Sequence, residues 1–250
     1  MTADASSRPR TFVGRDGVRL TADTWGDPSA PPLVLLHAGG QTRHAWDRSG
    51  PRLAALGWWV IAPDLRGHGA SGWSADGDYD LGLFAGDVRA LVSALGGRPL
   101  LVGASLGGLG ALLAAGEEPR AAVRALVLVD VAHRPDPRGT RRIVEFMRHR
   151  PDGDQAVRHW DPRVMDWFAG RMDPPGGAER LLGAARHADV PVLLVRGALS
   201  DMVTEAAAQE FCAEVPRARY VDVADAGHMV VGDRNDPFIE ALVPFLAGIG

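Results

Sequence analysis

The sequence predicts an α/β fold, a mostly parallel twisted sheet flanked by helices, with a small helical cap. Three observations predict it. Short continuous apolar runs recur along the chain, as in strands buried on both faces. Segments with the apolar spacing of a helix stand between several of these runs. An antiparallel hairpin precedes the first of them. The chain has 250 residues, 46% hydrophobic and 23% charged. That is the balance of a globular protein with one large domain or two small ones.

The elements follow in order. Thr11–Arg15 and Val18–Trp25 flank Asp16-Gly17, a dipeptide that favours a tight hairpin turn. Leu33–His37 is an apolar run, and Trp58–Ala62 is the next. Leu81–Leu95 has helical periodicity. Leu100–Gly103 reads as a buried strand and Leu106–Ala115 as a helix. Leu126–Asp130, Val192–Arg196 and Ala218–Val223 complete the strands, and Pro237–Leu246 is a closing amphipathic helix. The alternation breaks between Val131 and Asp189, a stretch rich in Pro, Arg and Trp. The expected organisation is therefore a core of residues 1–130 and 190–250 with a cap at 131–189.

Composition removes several chemistries. All 27 basic residues are arginine, so the chain has no lysine. This excludes a lysine Schiff base, a lysine general base and the phosphate-binding P-loop, whose signature requires one. The net charge of −4 gives no broad positive field, so no nucleic-acid partner is expected. The single cysteine, Cys212, allows no intrachain disulfide, and no metal-ligand spacing is recognised among His133, His149 and His159, which read as surface histidines. Met1–Arg10 has no apolar run and no stretch of 18 apolar residues follows, so no signal peptide, no membrane partner and a cytoplasmic setting are expected.

The strongest chemical signal is Gly103-Ala104-Ser105-Leu106-Gly107, set directly between a strand and a helix. A G-x-S-x-G segment in that context forms a sharp turn, with small neighbours two positions either side of the serine. Ser105 is the expected nucleophile and needs a base. His228, after the last strand and before the final helix, is the expected base. Asp201, after Val192–Arg196, is the expected orienting acid. Asp130, which ends its own strand, is the competitor that could reach the same histidine. The order Ser105, Asp201, His228 is that of the strand–turn–helix hydrolases. Leu106 would donate its backbone N–H to an oxyanion, and the small residues of His37-Ala38-Gly39-Gly40 would supply the second donor, assigned to Gly39.

Four blocks carry a family resemblance: His37-Ala-Gly-Gly40, Asp64-Leu-Arg-Gly-His-Gly-Ala-Ser71, Gly103-Ala-Ser-Leu-Gly107 and Gly227-His228. Over nearly its whole length the chain resembles the α/β-hydrolase superfamily. Within it, the chain is similar to bacterial serine hydrolases labelled esterase, peroxidase or epoxide-hydrolase-like. His159-Trp-Asp-Pro162 looks like part of their cap. Two departures stand out: the family's His-Gly is His37-Ala38 here, and Ser105 stands where epoxide hydrolases and haloalkane dehalogenases of this fold use aspartate. The resemblance makes Asp64 and His68 scaffold.

The expected function is hydrolysis of a small-molecule acyl substrate, an ester, lactone or thioester, through an acyl-serine, with no cofactor and no metal. A C–C bond hydrolase of the meta-cleavage type, a peroxide-using side activity and a non-enzymatic ligand receptor are the alternatives on the same fold. Trp46, Trp160 and Trp167, with Met165 and Phe168, are the candidate substrate-binding residues; cap-to-core packing would account for them equally. Arg138, Arg141, Arg142, Arg148 and Arg150 make the cap locally basic, which a solvated helix face also explains.

Overall fold

A computed structural model describes residues 6–148, 159–171, 176–228, 230–233 and 235–249. The strands are β1 (Arg8–Val13), β2 (Arg19–Trp25), β3 (Pro32–Leu36), β4 (Trp59–Pro63), β5 (Leu100–Ala104), β6 (Ala125–Val129), β7 (Val192–Gly197) and β8 (Ala218–Val223). They form one sheet in the order β1-β2-β4-β3-β5-β6-β7-β8. β1 and β2 are antiparallel to each other, β2 is antiparallel to β4, and the remaining pairs are parallel. The antiparallel part starts at the expected turn, where Asp16 and Gly17 both take positive φ.

The continuous apolar runs become strands for a physical reason. Every residue of β4, β5, β6 and β7 is buried, so both faces of the central sheet are covered. One face packs under α2 (Leu81–Leu95), α3 (Leu106–Gly116) and α6 (Gly177–His187), the other under α1 (Ser49–Ala55), the short α8 (Val230–Asp233) and α9 (Asn235–Ala247). The helix α2 is bounded by its own sequence. Asp80 accepts the N–H of Gly82 at 2.7 Å, and Gly96 ends the helix at φ +68°. The helix α7 (Glu205–Glu214), not foreseen from its weak periodicity, starts at Thr204, whose hydroxyl accepts the N–H of Ala207.

Between β6 and β7 lie α4 (Pro137–Arg148), α5 (Pro162–Arg171) and α6. The first two are the helices of the expected cap. The third is different: Leu181, Ala184 and Ala185 are buried in the cluster beneath α3. This crossover helix belongs to the layer that flanks the sheet, although the sequence places it within 131–189. The block expected in the cap is tied to the loop that follows β4. Trp160 bridges His68, Gly69 N–H donates to His159 O at 2.6 Å, and Asp161 N–H donates to Gly67 O at 2.7 Å. The Tyr79 hydroxyl donates to the buried Asp161 carboxylate at 2.6 Å. His149, Arg150 and Met229 lie outside the described residues, as do the side chains of Arg148, Met165 and Phe168.

The α3–α6 contact gives a paired prediction. A Cβ on Gly116 would stand 2.0 Å from the Ala184 carbonyl oxygen, whereas one on Gly183 would meet nothing within 4 Å. In urea denaturation, Gly116→Ala should destabilise by about 1–3 kcal/mol through overpacking. Gly183→Ala should stabilise by about 0.5–1 kcal/mol, because a helical glycine is replaced where there is room. Equal midpoints for the two variants would refute this account of the packing.

Candidate active site

The serine turn is built by exclusion of volume. Ser105 sits between β5 and α3 at φ +45° and ψ −113°, a conformation that costs a non-glycine residue energy. The turn closes only because its neighbours lack side chains. A Cβ on Gly103 would lie 2.5 Å from the Gly107 oxygen. One on Gly107 would lie 2.6 Å from the Leu36 oxygen, and one on Gly108 would lie 2.5 Å from Val131. The backbone then holds the serine in register with β6, since Ser105 N–H donates to Val129 O at 3.1 Å. Ser105 keeps partial exposure while the surrounding helix is buried.

The next residue after Val129 is Asp130, also at positive φ (+50°). Its N–H donates to Val195 O at 2.8 Å, which places it at the end of β7 as well. One carboxylate oxygen, Oδ1, accepts the N–H of Gly197 at 3.1 Å. The other, Oδ2, accepts from Ser200 Oγ at 2.5 Å and from His228 Nδ1 at 2.7 Å. A carboxylate partner puts the imidazole proton on Nδ1 and leaves Nε2 as the basic nitrogen. The loop that carries His228 is pinned beside β7. Leu199 N–H donates to Ala226 O, and a Cβ on Gly197 would come within 2.2 Å of the Gly227 oxygen.

This corrects the expected acid. The structure brings Asp130, not Asp201, to His228. Asp201 follows Ser200 and pairs instead with Arg142 of α4. The left-handed turn at Asp130 aims its carboxylate across the end of β7, and the amide and hydroxyl waiting there fill that position. Asp201 has been carried one residue beyond it, toward the cap. Chain order cannot distinguish the two, because both aspartates precede His228 and both follow a strand.

The loop after β3 is set by two buried histidines. His37 Nε2 accepts the N–H of Leu65 at 2.9 Å, and its Nδ1 faces Ala38 O at 2.8 Å. His68 Nε2 accepts the N–H of Gly40 at 3.1 Å, and its Nδ1 faces Arg66 O at 2.9 Å. A nitrogen that accepts an amide N–H carries no proton, so both rings hold theirs on Nδ1 and donate it to a carbonyl. Ala38 N–H donates to Gln41 Oε1 at 3.2 Å. Ala38 and Gly40 are thus committed on either side of Gly39, whose N–H makes no hydrogen bond among the described residues. A Cβ on Gly39 would lie 3.7 Å from the Leu106 side chain, so the two expected oxyanion donors are neighbours. The first amides of α3, Leu106 included, have no acceptor within the helix. Sequence reading missed the parts of Gln41 and Ser200; neither belongs to a motif.

Asp64 is scaffold as the resemblance implies. It accepts Arg43 N–H at 2.7 Å and Ala70 N–H at 2.8 Å, and pairs with the Arg43 guanidinium at 2.5 Å. Arg66 binds the buried Asp87 through two 2.6 Å hydrogen bonds, fastening this loop to α2. The expected substrate residues separate. Trp46 is fully buried and packs on Phe238 of α9, 5.9 Å between ring centroids, so it belongs to the core beneath the sheet and not to a pocket. The 3₁₀ turn Arg43–Trp46 directs it there. Trp160 and Trp167 are half-buried, the first at His68 and the second against the core under the cap. His133, expected at the surface, is buried and stacked on Phe211, 5.8 Å between centroids. Among the described residues, Asp23, His44 and Asp47 bring their donor atoms within 4.8 Å of one another. Asp23 is already engaged by Arg43, and none of the three belongs to the serine turn.

An α/β sheet with a strained serine at one strand end and an acid–histidine pair at the next defines a class, the nucleophile-elbow hydrolases. Comparison with known proteins agrees. The family model described as alpha/beta hydrolase fold matches residues 31–173, and the chain belongs to that family. A 3-hydroxybutyrate-oligomer hydrolase of Cupriavidus necator is 30% identical over 84% of this chain and 87% of its own length. An esterase of Mycobacterium tuberculosis is 35% identical over 70% of this chain; the match spans 53% of the esterase, about half its length. An alpha/beta hydrolase from Novosphingobium aromaticivorans superposes with a TM-score of 0.79 at 26% identity, covering 98% of this chain and 99% of the other. The E-2-(acetamidomethylene)succinate hydrolase structure has the same fold, with a TM-score of 0.81 at 24% identity over 97% of this chain and all of the other. No helix among the described residues is long and apolar enough to cross a membrane.

The buried histidines set a pH prediction. Burial, helped by its neighbour His68, holds His37 down at about 3, and burial holds His68 at about 4. Both lie below the ordinary 6.5 of an unfolded chain, which therefore binds more protons across this interval. Their contribution to stability is complete above pH 6.5 and is lost as pH falls toward 4 and then 3. Urea midpoints measured from pH 7.5 to 4.5 should decline below about 6.5. A flat profile would contradict the neutral, amide-accepting state of both rings.

Proposed function

We propose that the protein is a serine hydrolase that cleaves carboxylic esters, including lactones and thioesters, through an acyl-serine formed on Ser105. The observation that carries the reading is the shared strand edge. Ser105 N–H rests on the carbonyl of Val129, and the next residue, Asp130, holds His228 at 2.7 Å. The family relatives named esterase, lipase and oligomer hydrolase support the reaction class.

In this mechanism Ser105 Oγ attacks the acyl carbon as His228 Nε2 takes its proton. Asp130 keeps the imidazole in the Nδ1–H tautomer and stabilises the imidazolium. The oxyanion is received by the N–H groups of Leu106 and Gly39. The tetrahedral intermediate collapses, the C–O or C–S bond breaks, and His228 returns the proton to the leaving alcohol or thiol. A water, deprotonated by the same nitrogen, then attacks the acyl-serine; the bond from the acyl carbon to Ser105 Oγ breaks, His228 returns the proton to that oxygen, and the acid leaves. Each step uses groups of the chain itself and requires no cofactor. Trp160 and Trp167, at the junction of cap and core, are the proposed contacts for the acyl group. The acid in this triad is Asp130, in place of Asp201.

Two experiments test it. A fluorophosphonate probe should label the wild type and leave Ser105→Ala unlabelled; a wild type that resists the probe would remove the nucleophile. On a chromogenic ester, Asp130→Asn should lower kcat by on the order of 10⁴-fold, the scale of loss when the histidine takes the wrong tautomer. Asp201→Asn should change kcat by less than about threefold, since it loses only a surface ion pair. The opposite ranking would return the acid role to Asp201.

A further inference from the structure

The carboxylate of Asp130 makes a third contact that the proposed chemistry does not use. Ser200 Oγ lies 2.5 Å from Oδ2, the same oxygen that accepts from His228. The direction of that hydroxyl is fixed. Ser200 Oγ accepts the N–H of Met202 at 3.1 Å and the N–H of Val203 at 3.3 Å. With two amides on its lone pairs, the hydroxyl proton is left to point at Asp130. The same loop seats the cap. Asp136 N–H donates to Met202 O at 2.9 Å, and a Cβ on Gly139 would come within 2.2 Å of the Asp201 oxygen. We propose that Ser200 is a positioning residue of the triad, whose hydroxyl clamps Asp130 and tempers the basicity of His228 through their shared oxygen. The proposal rests on the acyl-serine reading above.

The argument is one of geometry and charge. A non-glycine residue at positive φ, such as Asp130, persists only where its surroundings over-determine it. Here Gly197 N–H holds Oδ1, and Ser200 and His228 divide Oδ2. A donated hydrogen bond to a carboxylate draws charge from the accepting oxygen and is stronger than one between neutral groups. Without it, Oδ2 carries more charge toward Nδ1–H, so the imidazolium is favoured and His228 becomes more basic. The carboxylate also gains rotational freedom, which lowers the fraction of enzyme in the reactive arrangement. Arg142 pairs with Asp201 from the cap; Arg196 pairs with Asp222 across β7 and β8 at 2.8 Å and its charge also reaches Asp130, an influence that a change at Ser200 leaves in place.

The test uses the full chain with Ser200→Ala and Ser200→Thr, scored on a chromogenic ester with active sites counted by the fluorophosphonate probe. For Ser200→Ala we expect kcat per labelled site to fall roughly 10- to 100-fold, the scale of a small misplacement at a catalytic group, with KM within about twofold. We also expect the acid-limb midpoint of kcat/KM to move up. Ser200→Thr, which keeps the hydroxyl, should restore kcat and midpoint together. The proposal is overturned if Ser200→Ala keeps the wild-type kcat. It is also overturned if the midpoint stays or moves down, or if activity falls only in step with lost folded protein, followed by circular dichroism. Counting labelled sites separates the two failures. An unlabelled wild type defeats the acyl-serine reading itself, whereas normal labelling with an unmoved midpoint defeats the role of Ser200 alone.

Discussion

The turn at Ser105 leaves no volume on its inner side, and the rest of the site follows from that lack of room. Carbonyls of β3, the start of α3 and a valine after β6 all press within 2.7 Å of where glycine side chains would begin. Only with those side chains missing can α3 start where it does, at the ends of β3, β5 and β6 together. The serine is strained to φ +45°, and the strain persists because the sheet and helix around it are fully packed. That crowding also brings Gly39 beside Leu106 and places Asp130 one residue from the carbonyl that holds the serine amide.

Polar groups then take over where packing ends. The loop from Asp64 to Ser71 sets the shape of the loop after β3. Asp64 anchors Arg43, His68 holds Gly40, and His37 reaches back to Leu65. Both rings act as neutral connectors between backbone groups, a role available to a histidine only while it is unprotonated. Gln41 completes the arrangement by occupying the amide of Ala38. Of the three amides, that of Gly39 alone makes no hydrogen bond among the described residues. The proposed donor, Gly39, stands one residue beyond the point where His37-Ala38 departs from the family's His-Gly.

The acid shows where linear reading stops. Asp201 and Asp130 are equivalent by chain order and by their position after a strand. They differ in what surrounds each carboxylate once β6 and β7 lie side by side. One meets an amide, a hydroxyl and an imidazole, and the other meets an arginine of the cap. Trp46 illustrates the same limit for packing. It is a candidate substrate contact in the sequence, but a short 3₁₀ turn carries it under the sheet against Phe238. The helix α6 likewise reads as part of an insertion and packs as part of the core.

The sequence by itself determined a mostly parallel sheet of buried strands, the serine turn and the histidine after the last strand. It could do so because apolar periodicity and glycine spacing are local consequences of chain geometry. The lack of lysine likewise removed whole chemistries without any fold. Tertiary structure alone decided which aspartate faces His228, which amide of the loop after β3 has no partner among the described residues, and that Ser200 shares an oxygen of Asp130. Each of these is a contact between residues far apart in the chain, set by directions of side chains that no local pattern encodes.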